Sequence, residues 1–306
     1  MVGPDKRSIS YFRYWGLGSV MIPDDLVGRL RLAESIIFLT GAGTSRESGI
    51  PTFRDHVDGL WGTFDPMEVA TPYAFEINPQ LVWDFYAMRA EQVRNASPNA
   101  AHLAIAELAK SKRVTVVTQN VDSLHQRGGS EGVIELHGSL LRLKPFCDRE
   151  VLAERGRNPI QCPVCHGWAA SDSVDAFYNH ADFERIQLVA GPVPHCPCCD
   201  TMLRPSVTWY GEELDSTVLK AAEDAVQECE VLICVGCSLE VQPAASLPYL
   251  ALQNGSTVIE VNPNPTSFSE VADVVLVGTA VEVLPKLLSQ IWGETVLART
   301  IELPST

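Results

Sequence analysis

Five short apolar stretches rich in β-branched residues recur along the chain: "SIIFLT" from Ser35, "RVTVVT" from Arg113, "EVLICVG" from Glu230, "STVIEV" from Ser256 and "DVVLVG" from Asp273. They are nearly continuous in hydrophobicity, the pattern of strands covered on both faces. Between several of them lie helical periodicities, among them "PNAAHLAIAELAKS" and "STVLKAAEDAVQE". Strands alternating with helices predict an α/β fold built on a parallel sheet with helices on both faces. Each strand runs into small or polar residues, at Gly41, Gln119, Cys237, Asn262 and Thr279. Ligands of such sheets bind at the carboxyl ends of the strands, so these clusters are where a site is expected.

The alternation fails between about Leu141 and Arg204, where prolines, glycines and six of the nine cysteines replace it. A small inserted module is expected over 141–203. A second insertion, about 55–96, carries the helical pattern "PQLVWDFYAMRAEQV". The sheet domain then comprises 30–140 and 204–292, with an extension over 1–29 and a tail over 293–306.

Composition narrows the classes. A formal charge of −15 and a sequence pI near 4.9 argue against phosphate-backbone binding and for a cationic partner such as a lysine-rich protein segment. No apolar run reaches the ~18 residues of a membrane span. The opening "MVGPDKRSISYFRYWGLGSV" lacks the continuous apolar core of a secretory signal, so a cytoplasmic, membrane-free protein is expected; an organelle-targeting peptide ahead of Met21 is the alternative. Paired cysteines in such a chain point to metal before disulfides. "CPVC" and "CPCC" place Cys162 and Cys165, then Cys196 and Cys199, as two knuckles 30 residues apart, the signature of a closed tetrahedral structural zinc site.

In "GAGTSRESGIPTFRD", Gly41 and Gly43 follow a strand and permit close backbone approach to a pyrophosphate. Arg46 holds the third glycine position of the dinucleotide fingerprint, and no Gly-Lys-Ser/Thr follows, so neither common phosphate-loop pattern is met. Beyond the next strand, "TQNVD" offers Gln119, Asn120 and Asp122 to a ribose or carboxamide; capping of the following helix is the structural alternative for Asp122. His137, in "ELHGS", ends an apolar run, and imidazole is suited to take a proton near neutral pH. On the helical pattern from Pro79, Val82, Tyr86, Arg89 and Val93 share one face, setting an arginine within an apolar stripe; it needs an anion there, from a ligand or an internal carboxylate.

"GAGTSRESGIPTFRD", "TQNVD", "ELHGS", "LRPSVTWYGE", "VGCSLEVQPA" and "EVNPNPT" together resemble, in order and spacing, the sirtuins, the NAD-dependent protein lysine deacylases. The resemblance covers roughly Leu30 to Leu288. It implies a Rossmann-like NAD-binding domain with a small inserted zinc-binding module, NAD consumed as co-substrate, one structural zinc, acyl-lysine proteins as substrates and a monomeric chain. Gly41, Ala42, Gly43 and Thr44 would serve the dinucleotide phosphates, and Phe53 and Arg54 a loop closing over them. Gln119, Asn120 and Asp122 would surround the ribose and nicotinamide. Gly236, Cys237, Ser238, Asn262, Asn264 and Ala280 would lie along the adenosine half.

By the same resemblance the acyl oxygen attacks the nicotinamide ribose and nicotinamide leaves. His137, as general base alongside Asn120 and Asp122, then takes a ribose hydroxyl proton on the way to free lysine and O-acyl-ADP-ribose. "YAMR", with Tyr86 and Arg89, and the small Ala70 resemble class III sirtuins, whose pocket takes succinyl or malonyl lysine. Val207 and the residues to Glu212 would offer main-chain groups to the substrate peptide. Cys196 and Cys199 fit the family's zinc spacing; Cys147 or Cys198 is the alternative should one of the four ligands fail. Two other functions compete: mono-ADP-ribosyl transfer from the same NAD site, and a non-catalytic NAD-sensing module.

Overall fold

The computed structural model describes residues 24–52, 65–147, 152–153, 156–170 and 186–293. Among them run ten strands, in chain order β1 (Ser35–Thr40), β2 (Arg113–Thr118), β3 (Ile134–Glu135), β4 (Gly138–Pro145), β5 (Pro159–Gln161), β6 (Trp168–Ala170), β7 (Leu203–Val207), β8 (Val231–Val235), β9 (Thr257–Asn262) and β10 (Val274–Val277). They divide between two compact units, one from the described residues of 1–55, 96–137 and 214–306, the other from those of 56–95 and 138–213.

The first unit holds a six-stranded parallel sheet in the order β10-β9-β8-β1-β2-β3. All five strands expected from the apolar runs are in it. Because side chains alternate across a strand, β1 feeds two cores. Ile36 and Phe38 pack with Ala104, Ile105 and Leu108 of helix Ala100–Leu108 and with Leu284, Leu287 and Leu288 of helix Ala280–Trp292. Ile37 and Leu39 pack on the opposite face with Ala222 and Val226 of helix Ser216–Gln227 and with Leu247 and Ala251. Each fully buried Val, Leu, Ile or Phe among them contributes about 1.5–3 kcal/mol relative to exposure. Local capping fixes the helix starts: the Asp215 carboxylate accepts from Thr217 N and Val218 N, and the Asn99 side chain from Ala101 N and His102 N.

The strand order reverses at β1. The chain builds β2 and β3 on one side of it, then returns to lay β8 on the other. The carboxyl ends of β1 and β8 therefore flank a topological switch point, the crevice where such sheets hold ligands.

The second unit is organised by the antiparallel pair β4 and β7, which keeps 138–140 and 204–213 with the cysteine-bearing segment. The helical insertion belongs to this unit as well. Helix Pro79–Asn95 buries Val82, Trp83, Phe85, Tyr86, Arg89 and Val93. The Trp83 Nε1–H and an Arg94 N–H donate to the carbonyl oxygens of Val189 and Leu188, both at 2.9 Å, tying that segment to the helix. Among the described residues, no helix is long and apolar enough to cross a membrane.

Candidate active site and metal centre

Two turns meet at the switch point. Gly41 N donates to Val235 O and Gly43 N to Gly236 O, each at 3.0 Å. A Cβ on Gly41 would stand 2.7 Å from Gly236 O, and one on Gly43 would stand 2.8 Å from Gly236 Cα. These glycines are thus required first by the contact between the turns, which brings the main chains of both into one crevice. Two of the neighbouring side chains, those of Thr44 and Cys237, point inward. Thr44 Oγ1 donates to Val235 O at 2.9 Å, and the buried Cys237 thiol to Leu39 O at 3.3 Å. The hydroxyl and thiol stitch β1 to β8, and the Thr44 main chain is engaged too, its N–H donating to Gly41 O at 2.9 Å and its carbonyl oxygen accepting from Asn99 Nδ2 at 2.8 Å.

Asn120 braces the first turn from the side, its Nδ2 donating to Gly41 O at 3.0 Å and Ser45 Oγ at 3.1 Å. Ser45 Oγ in turn donates to Asp122 Oδ2 at 2.7 Å, and Leu124 N donates to Asp122 Oδ1 at 2.9 Å. Asp122 is both a local cap and the anchor of the glycine turn. Burial pushes its carboxyl above the ordinary range, against the pull of those two donors.

Beneath it sit residues that strand-end reasoning passed over. His102 Nε2 is 3.4 Å from Ser45 Oγ, and its Nδ1 accepts from Asn99 N at 3.2 Å. His125 Nε2 is 2.9 Å from Thr40 Oγ1, and the two imidazoles meet edge to face at 4.7 Å. Burial lowers His102 to about 4 and His125 well below its usual value, so both rings are neutral. The signal in sequence was "SPNAAH", an asparagine cap whose third helical residue is a histidine.

Gln119 extends β2 past its end, with its N–H on Thr40 O at 2.9 Å. Its carbonyl oxygen lies 3.1 Å from His137 Nδ1. A carbonyl only accepts, so the bond puts the ring proton on Nδ1 and leaves Nε2 with a lone pair. Burial lowers the His137 pKa, the Gln119 bond opposing it in part. His137 is therefore a neutral imidazole with its basic nitrogen turned from Gln119. The Gln119 side-chain Nε2 is buried with no hydrogen-bond partner among the described residues, a donor suited to an oxygen-rich ligand. An orphaned amide nitrogen beside two glycine-bearing turns fits a ribosyl phosphate ligand such as NAD.

The remaining predicted positions are more dispersed. Ser238 is half-buried just past β8, Asn262 Nδ2 donates to Cys237 O at 2.6 Å, and Asn264 is exposed in the following turn. The Ala280 side chain packs in the core at a helix start. Phe53 and Arg54 lie outside the described residues.

In the second unit, Tyr86 and Arg89 are 4% and 8% exposed on one face of their helix, and Ala70, ending helix Pro66–Val69, is buried as well. Ala70 O accepts from Tyr210 N at 2.9 Å. Several main-chain groups of the segment expected to receive a peptide are already engaged: Val207 O by Arg204, Trp209 N by Glu212 and Tyr210 N by Ala70. Trp209 is core, whereas Tyr210 is 50% exposed.

The four cysteines of the two knuckles converge, their sulfurs all within 4.8 Å of one another. The Cys162–Cys196 and Cys165–Cys199 separations are 3.8 and 3.9 Å, against about 3.8 Å for the edge of a tetrahedron of Zn–S bonds. The knuckles repeat one turn. His166 N returns to Cys162 O at 3.0 Å and Asp200 N to Cys196 O at 2.9 Å, with His166 and Asp200 both left-handed at φ 55 and 56. Among the described residues this is the group that gathers; Cys147 and Cys198 stand outside it. Four thiolates fill a zinc coordination sphere, so the site fits a structural ion with no open position.

Comparison with known proteins agrees with this chemistry. Residues 41–243 match the model described as Sir2 family. An NAD-dependent protein deacylase of Ralstonia nicotianae is 43% identical over 260 residues, covering 85% of this chain and 93% of its own; one of Pyrococcus furiosus is 42% identical over 265 residues, covering 86% and 95%. Among solved structures, a Sir2 homolog in complex with NAD superposes with a TM-score of 0.72 at 38% identity, covering 90% of this chain and 96% of the other. A Sir2 variant with deacetylated p53 peptide and 3'-O-acetyl-ADP-ribose superposes at 0.65 and 28% identity, covering 87% and 97%.

Proposed function

Because this chain belongs to the Sir2 family of NAD-dependent protein deacylases, we propose that it removes acidic acyl groups, succinyl or malonyl, from protein lysines in preference to acetyl. The observation that carries the acyl preference is the burial of Arg89 and Tyr86 on one helix face, with the small Ala70 buried in the same unit. A buried guanidinium favours a carboxylate partner, and a charge-assisted bond of that kind is about twice as strong as a neutral one. Acylated protein segments are the proposed partners, and a net charge of −15 suits lysine-rich ones.

NAD, when bound, supplies the ribose that receives the acyl group and the nicotinamide that leaves. The main-chain turns at Gly41–Gly43 and Gly236 would hold its phosphates, and the Gln119 amide would meet a ribose or carboxamide oxygen. Asn120, Ser45 and Asp122 keep the first turn in register through bonds made before any ligand arrives. His137 acts as the base: its proton is parked on Nδ1 by Gln119 O, so Nε2 is the atom that takes up a hydroxyl proton. Burial keeps that nitrogen unprotonated at neutral pH. The zinc staples the second unit and stands apart from proton transfer.

The test is product mass spectrometry with NAD and acetyl-, succinyl- and malonyl-lysine peptides, using the native chain and Arg89→Met. Succinyl or malonyl turnover well above acetyl, with the gap narrowed in Arg89→Met, is expected. Equal kcat/KM on all three peptides in the native enzyme defeats the acidic-acyl reading. ADP-ribose attached to protein, without O-acyl-ADP-ribose, would indicate ribosyl transfer instead.

A further inference from the structure

Trp209 Nε1 lies 3.0 Å from the Tyr86 hydroxyl oxygen, with the two side chains 3% and 4% exposed. An indole N–H is a donor only, so in this pair the tyrosine oxygen must accept. The hydroxyl hydrogen is thereby directed away from Trp209. The hydroxyl also keeps that hydrogen: burial raises the Tyr86 pKa to about 12, outweighing the lowering by Arg89 and by the indole bond. Three residues along the same helix stands Arg89, whose guanidinium is set 5.9 Å from the Phe85 ring centroid.

The indole is held on several sides. The Arg204 guanidinium lies 3.3 Å from the Trp209 ring centroid, and the Phe75 ring centroid is 5.5 Å away. Trp209 N donates to Glu212 Oε2 at 2.8 Å. Arg204 is itself fixed by both oxygens of Glu212, at 2.5 and 2.9 Å, and by Val207 O at 2.6 Å. Glu212, Arg204, Trp209 and Tyr86 thus form one chain of contacts, half-buried at Glu212 and buried from Arg204 to Tyr86. A tyrosine hydroxyl alone can donate or accept; the far end of this chain removes that freedom.

We infer that Trp209 is a specificity-determining positioning residue, whose indole N–H turns Tyr86 into a committed hydrogen-bond donor for the distal carboxylate of an acidic acyl group. The inference rests on the acidic-acyl reading above and extends it to a residue outside the Tyr86 and Arg89 pair. An acetyl group has no distal acceptor, so its turnover does not feel the commitment. The contact is remote from the reacting carbon and is made alike in ground and transition states, so its loss raises KM with kcat retained.

The experiment replaces Trp209 by benzothienylalanine, which keeps the bicyclic shape and puts sulfur where the N–H was, with Trp209→Phe as a second variant. Nicotinamide release is measured with succinyl- and acetyl-lysine peptides. The KM for succinyl-lysine should rise roughly five-fold, the scale of one neutral hydrogen bond. Its kcat and the acetyl-lysine kinetics should stay at native values, and the melting temperature of the benzothienyl variant should fall by only about 2–4 °C, the scale of the one lost bond. In a Tyr86→Phe background the replacement should have no further effect. A native succinyl KM in the benzothienyl variant, with Arg89→Met still narrowing the preference, overturns the role of Trp209 and leaves the acidic-acyl reading in place. Equal losses on both peptides also overturn it, because they report packing alone. A native enzyme without acyl preference overturns the underlying reading and this one with it.

Discussion

Gly43 donates its N–H to the carbonyl oxygen of Gly236 across 3.0 Å, joining the turn after β1 to the turn after β8 where the strand order reverses. Gly236 has φ 60, and a Cβ there would stand 2.5 Å from Thr44 N. Gly236→Ala should therefore cost about 2 kcal/mol or more of stability, combining left-handed strain with a main-chain collision. The KM for NAD should rise together with that loss. Urea unfolding and initial rates against NAD concentration check both, and an alanine variant with native values would show that the turns can move apart freely.

His137 gives a pH signature. The ring must be neutral to accept a proton, and its pKa lies below the ordinary 6.5 because burial disfavours the imidazolium. Succinyl-lysine kcat/KM should accordingly climb with pH on a limb centred below 6.5 and level off above it. His137→Ala should lower turnover at least about a hundredfold. Folding should survive, since the ring's recorded bond is the one to Gln119 O. Undiminished turnover in a purified variant removes His137 from the base role.

The buried histidines predict sensitivity to acid. His102 falls from 6.5 to about 4 on folding, so between those values the unfolded chain binds a proton that the folded chain refuses. Its contribution is complete above pH 6.5 and is lost as pH falls toward 4, by on the order of 3 kcal/mol. His125 acts with the same sign; Asp122, raised by burial, acts with the opposite one, gaining stability as it protonates. His102→Asn isolates the first effect. Denaturant titrations at a series of pH values should show a shallower acid loss in this variant than in the native chain, and parallel curves would contradict the assignment.

Metal analysis should find one zinc per chain. Cys196→Ser opens the tetrahedron and should lose the ion and lower the melting temperature of the second unit, whereas Cys198→Ser should keep both, because the Cys198 thiol is outside the group that converges. Absence of zinc from the native protein, or its loss from Cys198→Ser alone, would reassign the ligands.

Much of this was legible in one dimension because the signals are local. β-branched apolar runs marked the six-residue strands Ser35–Thr40 and Arg113–Thr118 to the residue; the first is buried throughout and so shows no polar alternation, the second is buried only over its last three residues. The cysteine knuckles were equally plain, because a tetrahedral ion demands paired thiolates at short spacing. The network beneath the glycine turn was not. Ser45, His102 and Asp122 come from three separate segments, and nothing in their individual neighbourhoods says that one hydroxyl will join them.

The chain's own order of residues determined the alternation of strands and helices and the zinc knuckles, for each follows from spacing or side-chain chemistry; the side chains expected to serve NAD and the base role were implied by the family resemblance. Only the tertiary structure decided which groups face inward and which remain for a ligand. The Thr44 hydroxyl and Cys237 thiol turn into the sheet, the Gln119 Nε2 has no partner among the described residues, the His137 proton sits on Nδ1, and Trp209 aims the Tyr86 hydroxyl. Hydrogen-bond direction depends on partners brought together from distant positions, and that pairing exists only once the chain is packed.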